Sequence, residues 1–460
     1  YAPDGHAERV GAQPADVYYA DIDGAWTDSI VMTNNTGNVY TPNDLNDGRW
    51  DQSVIPSAAE LQVGRVDMHS MSGFALSETE LMRQYLNKNH SYRHKINNPA
   101  RRALLNTHLD NSLFQTSAVA WRSFAPMLGS SNIAATNTNG CSGNGSCHIF
   151  MDSLQTRSYL WTYMAGGGTD TSCAYPVMAS SHCINYQLNT VFLQLYGSYF
   201  VEWAKGGITG TTDHLLRAPL ANAGMPLATC WTGGNPRWYF HPMGLGESIG
   251  FCTMLSQNNQ GIYDPGSMQW MGGIHMALMG DPSLRLHMVY PVTLLTATQN
   301  EAMIHLNWTA SADTDIIGYH VYQADSMAGT FQKLNSTIIT GTTFTDSLPS
   351  LAPGNVYMVR AVKSETTPSG TYKNMSQGIF VAKPVVTTFT FSGDGAWSTS
   401  SHWTNSLKPP SILPAGYTIV IDPILGGECR LDMVQHINPG GNLVLLPGRK
   451  FVLEADLFIH

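Results

Sequence analysis

The sequence predicts a multidomain protein, with a mixed α/β domain over residues 1–290, an all-β sandwich over 291–384 and a small all-β module over 385–460. Three observations carry that division. Helix and strand signals alternate before Pro291, the pattern of a sheet flanked by helices. Beyond Pro291, short alternating segments are separated by turn residues at intervals of roughly 8–15, the texture of a β-sandwich. From Pro384 onward, apolar runs of similar length recur between glycine-rich turns.

The elements follow in order. Ser77-Glu78-Thr79-Glu80 is a capping box that opens a helix, with Leu81, Tyr85 and Leu86 on one face. Leu61–Val66 and Asn189–Leu195 read as short strands, the second apolar enough to be buried. Ala302–Trp308 and Gly318–Tyr322 alternate as half-buried strands of the sandwich. In the last module Thr418–Ile421, Asn442–Leu446 and Lys450–Leu453 are strands of similar length, with Trp397 and Trp403 near its start. Their glycine corners predict either solenoid turns or a small sandwich.

Composition narrows the function. Charged residues make up 12% of the chain, against about 25% in ordinary domains. The net charge of −9 excludes nucleic acid as the main partner, because phosphate binding needs a basic face. No apolar run approaches the ~20 residues that span a bilayer. The first residue is Tyr1 rather than Met, which suggests a processed or trimmed product. Of the seven cysteines, Cys141 with Cys147, Cys173 with Cys183 and Cys230 with Cys252 suggest three local disulfides, with Cys429 left over. The competing reading is a set of buried thiols. Zinc spacing of the Cys-x2-Cys kind is missing from the sequence.

Several clusters bear chemistry. Asp21, Asp23, Asp44, Asn46, Asp47 and Asp51 gather around the Asp23-Gly24 and Asp47-Gly48 turns. Hard oxygen ligands on loops suit Ca²⁺, and Asx-turns on a solvated surface are the alternative. Gly246-Glu247-Ser248-Ile249-Gly250 fits the Gly-x-Ser-x-Gly elbow of serine hydrolases, with Asp281 and His287 as nominal partners. The elbow needs a buried strand before it, whereas Tyr239–Gly244 contains Pro242 and Gly244 and reads as the approach to a helix N-terminus. His90 and His94 have metal-like spacing but lie between Arg93 and Lys95, as on a solvated helix end. Trp231, Arg237, Trp238, Tyr239 and His241 form either a buried aromatic core or an exposed carbohydrate or peptide platform.

Asp16-Val17-Tyr18-Tyr19-Ala20-Asp21-Ile22-Asp23-Gly24, followed by Glu60-Leu61-Gln62-Val63-Gly64-Arg65, resembles the gingipain-type cysteine peptidases. Tyr85-Leu86-Asn87-Lys88 and Leu278-Met279-Gly280-Asp281-Pro282-Ser283-Leu284 fit later segments of that family, so the resemblance covers roughly 16–290. It implies a caspase/gingipain-like α/β domain lacking its earlier strands. In that family a thiolate attacks the scissile carbonyl and an imidazole moves the proton. The His lies in a turn after a buried strand, and the Cys ends the next core strand. Here Gly167 stands at the first position and Tyr196 at the second. The resemblance therefore implies a degenerate dyad. Ser198 is a weak substitute, and Cys173 or Cys183 with His182 a conceivable rewired pair. Leu351-Ala352-Pro353-Gly354 and Tyr357–Ala361 resemble the tyrosine corner of a fibronectin type III domain, with Trp308 as its core tryptophan.

Such proteins are exported by Bacteroidota through type IX secretion, which implies an extracellular or cell-surface location. Asp-Ser-hydrophobic triplets at Ser29, Ser153, Ser326 and Ser347 are candidate O-glycosylation sites in that setting. The expected role is structural, adhesive or assembly-forming, with other extracellular proteins or copies of itself as partners. Its rivals are an active cysteine peptidase with a displaced nucleophile and a serine hydrolase using Ser248.

Overall fold

A computed structural model describes residues 2–3, 12–31, 44–110, 116–137, 148–173, 177–197, 200, 203–204, 212–231, 238–259, 273–300, 303–347, 355–384 and 386–460. The chain forms two compact units, one of residues 1–289 with 364–374 and the other of residues 290–363 with 375–460.

The first unit is built on six strands: β1 (Ala103–Asn106), β2 (Ile133–Thr136), β3 (Tyr159–Ala165), β4 (Thr190–Tyr196), β5 (Ala228–Trp231) and β6 (Ala277–Gly280). They lie in the order β2-β1-β3-β4-β5-β6, all parallel except β6. Every residue of β1, β3, β5 and β6 is buried, which accounts for their continuous apolar runs. Trp161 of β3 centres the core. Its ring lies 5.1 Å from Phe124, 4.9 Å from Phe192 and 4.4 Å from Phe240. The helices are α1 (Glu78–Arg93), α2 (Ala118–Leu128), α3 (Ile149–Thr156), α4 (Ser180–Asn185), α5 (Ala218–Ala221) and α6 (Ile249–Gln257).

The expected capping box starts α1. The Ser77 hydroxyl accepts from the Glu80 N–H, and the Glu80 carboxylate accepts from the Ser77 N–H at 2.9 Å. The buried stripe of α1 is Leu81, Tyr85, Lys88 and Tyr92, while Leu86, expected on that face, is 57% exposed. The helical repeat of 3.6 residues explains the difference, since Leu86 is rotated away from Leu81. Leu61–Val66 is not the strand expected. Only Arg65 bridges to β6, donating to Leu278 O at 3.0 Å and accepting from the Gly280 N–H at 2.7 Å. A Cβ at Gly64 would fall 2.4 Å from Gly280 O, so the backbones meet too closely there for any other residue.

Residues 364–374 complete this unit from far along the chain. Glu365 meets the Arg101 guanidinium at 2.6 Å, the Thr367 hydroxyl donates to Gly244 O at 2.7 Å, and the Asn374 amide donates to His287 O at 3.0 Å.

The next strands are β7 (Thr293–Asn300), β8 (Met303–Thr309), β9 (Ile316–Ala324), β10 (Gln332–Lys333), β11 (Thr343–Asp346), β12 (Val356–Thr367), β13 (Gly370–Met375) and β14 (Ile379–Ala382); they belong to the second unit except for the end of β12 and nearly all of β13, which fall within 364–374. One sheet runs β7-β8-β11. The other runs β10-β9-β12-β13, with β14 also paired to β12. Their inner faces meet where Trp308 of β8, 2% exposed, packs edge-on to Tyr319 of β9 at 5.4 Å. Tyr357 is buried with its hydroxyl on Asp346 at 2.7 Å, and the expected corner at 351–354 lies outside the described residues.

The strands after Pro384 settle the choice between solenoid and sandwich. They are β15 (Thr388–Phe391), β16 (Gly395–Ala396), β17 (Ile412–Leu413), β18 (Thr418–Ile421), β19 (Glu428–Leu431), β20 (Gln435–Ile437), β21 (Asn442–Leu445), β22 (Lys450–Leu453) and β23 (Leu457–Ile459). They form three parallel sheets, β15-β18-β21, β16-β19-β22 and β17-β20-β23. Each turn of the chain adds one strand to each sheet, so the module is a three-coil β-solenoid. Phe391 stacks on Ile421 and Ile421 on Leu445, a column repeated on the other two faces. Trp403 closes the first coil, edge-on to Phe391 at 5.3 Å with its indole N–H on Trp397 O at 2.8 Å. Among the described residues no helix is long and apolar enough to cross a membrane.

Candidate functional site

Strands β3 and β4 are parallel neighbours, with Ala165 opposite Tyr196, and the Gly166 N–H donates to Tyr196 O at 3.0 Å. Gly167 therefore follows the carboxyl end of β3, and Tyr196 ends β4 beside it. The carboxyl edge of a parallel sheet is where α/β folds present their reactive groups. A side chain at Gly167 would meet no described atom within 4 Å, so the position has room for a larger residue. Burial raises the pKa of the Tyr196 phenol, keeping it protonated at neutral pH. Ser198 lies outside the described residues.

The thiols nearest this edge are inert by burial. Cys173 is fully buried, and its Sγ donates to Tyr196 O at 3.8 Å. Cys183, on α4, is 1% exposed. Burial drives both pKa values well above that of a free thiol, so neither supplies a thiolate. His182 Nδ1 accepts from the Ala179 N–H at 3.0 Å, and burial together with His148 lowers its pKa. The expected bridges are also corrected, because Cys173, Cys183, Cys230 and Cys252 are free buried thiols, as is Cys429. Cys230 sits in the middle of buried β5 and Cys252 in α6, where cysteine packs as a small apolar side chain. Cys141 and Cys147 lie outside the described residues.

Ser248 stands at a helix N-terminus, the reading favoured over the elbow by Pro242 and Gly244 in the approach to it. Ser248 is the N-cap of α6; its hydroxyl accepts from the Phe251 N–H at 3.0 Å and donates to Gln62 Oε1 at 2.6 Å. The segment before it, His241–Leu245, is a 3₁₀ turn rather than a strand. Asp281, the nominal acid, accepts instead from Asn89 at 2.8 Å, Arg93 at 2.6 Å and both the N–H and hydroxyl of Ser283.

The acidic loop is organised as turn caps. Asp21 is buried and accepts from the Trp26 indole, the Ser57 N–H and the Ser57 hydroxyl. Asp51 accepts from Thr27, Ser29 and Ile30; burial opposes its charge, but these bonds outweigh burial and lower its pKa. Asp47 accepts from the N–H groups of Asp44 and Arg49, and Asn46 takes the left-handed φ of 59° that such turns use. Asp23 is exposed beside them. Among the described residues no three His, Cys, Asp or Glu side chains converge so as to hold a metal ion. The His90 ring on α1 stacks at 4.0 Å on that of His94, the helix C-cap.

Trp231, Trp238 and Tyr239 are buried, the core alternative for the aromatic cluster, and Arg237 lies outside the described residues. Ser29, Ser326 and Ser347 are exposed, while Ser153 is half-buried on α3. One group escaped the sequence reading. Lys88 Nζ is buried and donates to Leu220 O, Asn222 O and Pro226 O at 2.9, 2.6 and 3.0 Å, and burial lowers its pKa to about 7. Its position seven residues beyond Leu81 was the available signal. Two clefts flank α1, of about 570 Å³ beside Arg65, His69 and Met82 and about 480 Å³ beside Glu80, Arg83 and Lys88. Neither is lined by Gly167 or Tyr196.

No family model and no curated protein matches this chain. Among solved structures, it is similar to a chain described as a protease, at 12% identity and a TM-score of 0.44, over 83% of this chain and 82% of that one. It is similar to the Arg-specific cysteine proteinase gingipain R at 12% identity and a TM-score of 0.40, over 65% of this chain and 73% of that one. A Fn3-like protein from Clostridium thermocellum aligns with 22% of this chain and 97% of its own length, at 21% identity and a TM-score of 0.17.

Proposed function

We propose that this chain is a secreted or cell-surface protein whose peptidase-like α/β unit is catalytically degenerate and serves a structural, adhesive or assembly-forming role. The observation that carries this reading is the pair Gly167 and Tyr196 at the adjacent carboxyl ends of β3 and β4. Thiol acyl transfer needs a nucleophile held beside a base. Glycine supplies no base, and the protonated Tyr196 phenol is a poor nucleophile. Cys173 and Cys183 are too buried to ionise, and Ser248 is committed to capping α6.

Low charge, an uncharged polar surface and two β modules after the α/β unit suit packing against other macromolecules outside the cell. Export by type IX secretion from a Bacteroidota cell, a fibronectin type III identity for residues 291–384 and O-glycosylation at the exposed Ser29, Ser326 and Ser347 complete the proposal. The free buried thiols mean that disulfides lend it no support.

The test is a casein-type assay of the whole chain with and without a thiol alkylating inhibitor. No turnover above the buffer control is expected. Turnover that the inhibitor abolishes would overturn the reading in favour of a displaced thiol. Intact mass above the sequence mass in protein purified from its natural source is the test of glycosylation.

A further inference from the structure

Strand β12 carries a lysine into the interior of the sandwich. Side chains alternate along a strand, so Tyr357, Val359, Ala361 and Lys363 share one face, and the first three are fully buried. Lys363 continues their row opposite Ile316 of β9, with only 10% of its side chain exposed. Asp313, in the approach to β9, has a side chain 7% exposed, and its Oδ1 lies 3.7 Å from Lys363 Nζ. That approach is looser than the roughly 2.7–2.9 Å of a fully seated ion pair.

The Asp313 carboxyl is held in place by a small ring of hydrogen bonds. The Tyr290 N–H donates to its Oδ2 at 2.7 Å, Ser311 Oγ donates to Tyr290 O at 2.6 Å, and the Asp313 N–H donates back to Ser311 Oγ at 3.3 Å. A second carboxylate, Asp315, has a side chain 70% exposed and places Oδ2 3.8 Å from the same Nζ. Amide formation needs a nucleophile, an electrophile with a donor for its oxyanion, and a proton carrier. Lys363, Asp313 on the Tyr290 N–H, and Asp315 are those three parts. Burial supplies the drive to react. An ammonium and a carboxylate held out of water are costly, and passing one proton between them leaves a neutral amine and a neutral acid.

We propose that Lys363 and Asp313 condense into an intramolecular amide bond, with Asp315 carrying the proton. The ammonium gives one proton to Asp313 Oδ1. The freed Nζ lone pair forms the bond to Cγ, and the carbonyl pair moves onto Oδ2, where the Tyr290 N–H meets the negative charge. Asp315 takes a proton from Nζ and hands it to the Oδ1 hydroxyl. The Cγ–Oδ1 bond breaks, water leaves, and the carbonyl reforms at Oδ2. One ammonium and one carboxylate become one amide and one water, and Asp315 ends as it began, so the step needs no oxidant or cofactor. The bond closes residues 313–363 into a loop, a covalent tie in a chain whose described cysteines are free thiols. The proposal is independent of how Gly167 and Tyr196 are read.

The test is mass spectrometry of the recombinant whole chain, sampled through expression and storage at pH 7. The expected product is lighter than its sequence by one water. Its tryptic digest should contain one branched peptide that joins the segments around Asp313 and Lys363 and is uncut at Lys363. Lys363→Arg and Asp313→Ala should each restore the full sequence mass. Asp315→Asn, sampled over the same times, should slow the loss of water about tenfold or more. The branched peptide is read from the parent alone, so the answer does not depend on whether a variant folds. A parent that stays at its full sequence mass would overturn the proposal and leave an ordinary ion pair. So would a loss of water that Lys363→Arg retains, or a branched peptide that forms as fast in Asp315→Asn.

Discussion

Replacing Asp281 with asparagine tests what the Gly280-Asp281-Pro282-Ser283-Leu284 segment does. The Asp281 carboxylate ties the end of β6 to α1 through Asn89, Arg93 and Ser283. Burial works against its charge, but the hydrogen bonds from Ser283, Asn89 and Arg93 outweigh burial and hold its pKa down to about 2, from an ordinary 3.8. At 1.36 kcal/mol per pKa unit that gap corresponds to about 2.4 kcal/mol. The side chain is 26% exposed, so solvent screening leaves about 1–2 kcal/mol. The folded pKa lies below the unfolded one, so this stabilisation is complete above about pH 4 and fades between pH 4 and 2. Urea melts of the parent and Asp281→Asn at pH 7, 4 and 2 should show that full difference at pH 7 and almost none at pH 2. An equal difference at all three pH values would refute the electrostatic argument and leave only lost packing.

Three further outcomes are expected. Iodoacetamide should leave Cys173, Cys183, Cys230, Cys252 and Cys429 unmodified in the native protein and label all five in denaturant; mass spectrometry of the peptides reads this, and rapid native labelling of Cys173 would contradict its burial. Phe391→Ala empties a fully buried site against Trp403 and should cost the solenoid about 3–5 kcal/mol, seen as faster amide exchange there with the α/β sheet unchanged. Tyr196→Cys should introduce a thiol whose alkylation midpoint falls by about one pH unit or more when Gly167→His is added, since a nearby imidazolium favours the thiolate. An unshifted midpoint would mean that the two positions do not face one site.

Local chemistry was legible in the sequence, and its limits are physical. The Ser77–Glu80 capping box fixed the start of α1 because both partners lie within one turn. Asn189–Leu195 read correctly as a strand, one residue out of register with β4, because a fully buried parallel strand needs only an apolar run. Leu61–Val66 misled because strand-like alternation does not supply a neighbouring ladder, and the segment meets β6 at a single bridge, at Arg65. The cysteine spacings misled similarly: short separations describe loops, while burial in β5 and α6 is decided by tertiary packing. The solenoid stayed ambiguous because successive coils differ in length, 30 residues from Thr388 to Thr418 but 24 from Thr418 to Asn442. At the candidate site, the nearness of Gly167 to Tyr196 comes from the pairing of β3 with β4, which no local pattern encodes.

Residues 364–374 have a consequence for the order in which this protein is made. A nascent chain that has emerged only to residue 290 carries Arg101, Gly244 and His287 without Glu365, Thr367 and Asn374. At roughly 5–20 residues per second, the ribosome needs on the order of ten more seconds to deliver them. During that interval the first unit is nearly whole but not closed, which is the stage at which a holding chaperone would matter most. A gene cut at residue 290 makes that interval permanent.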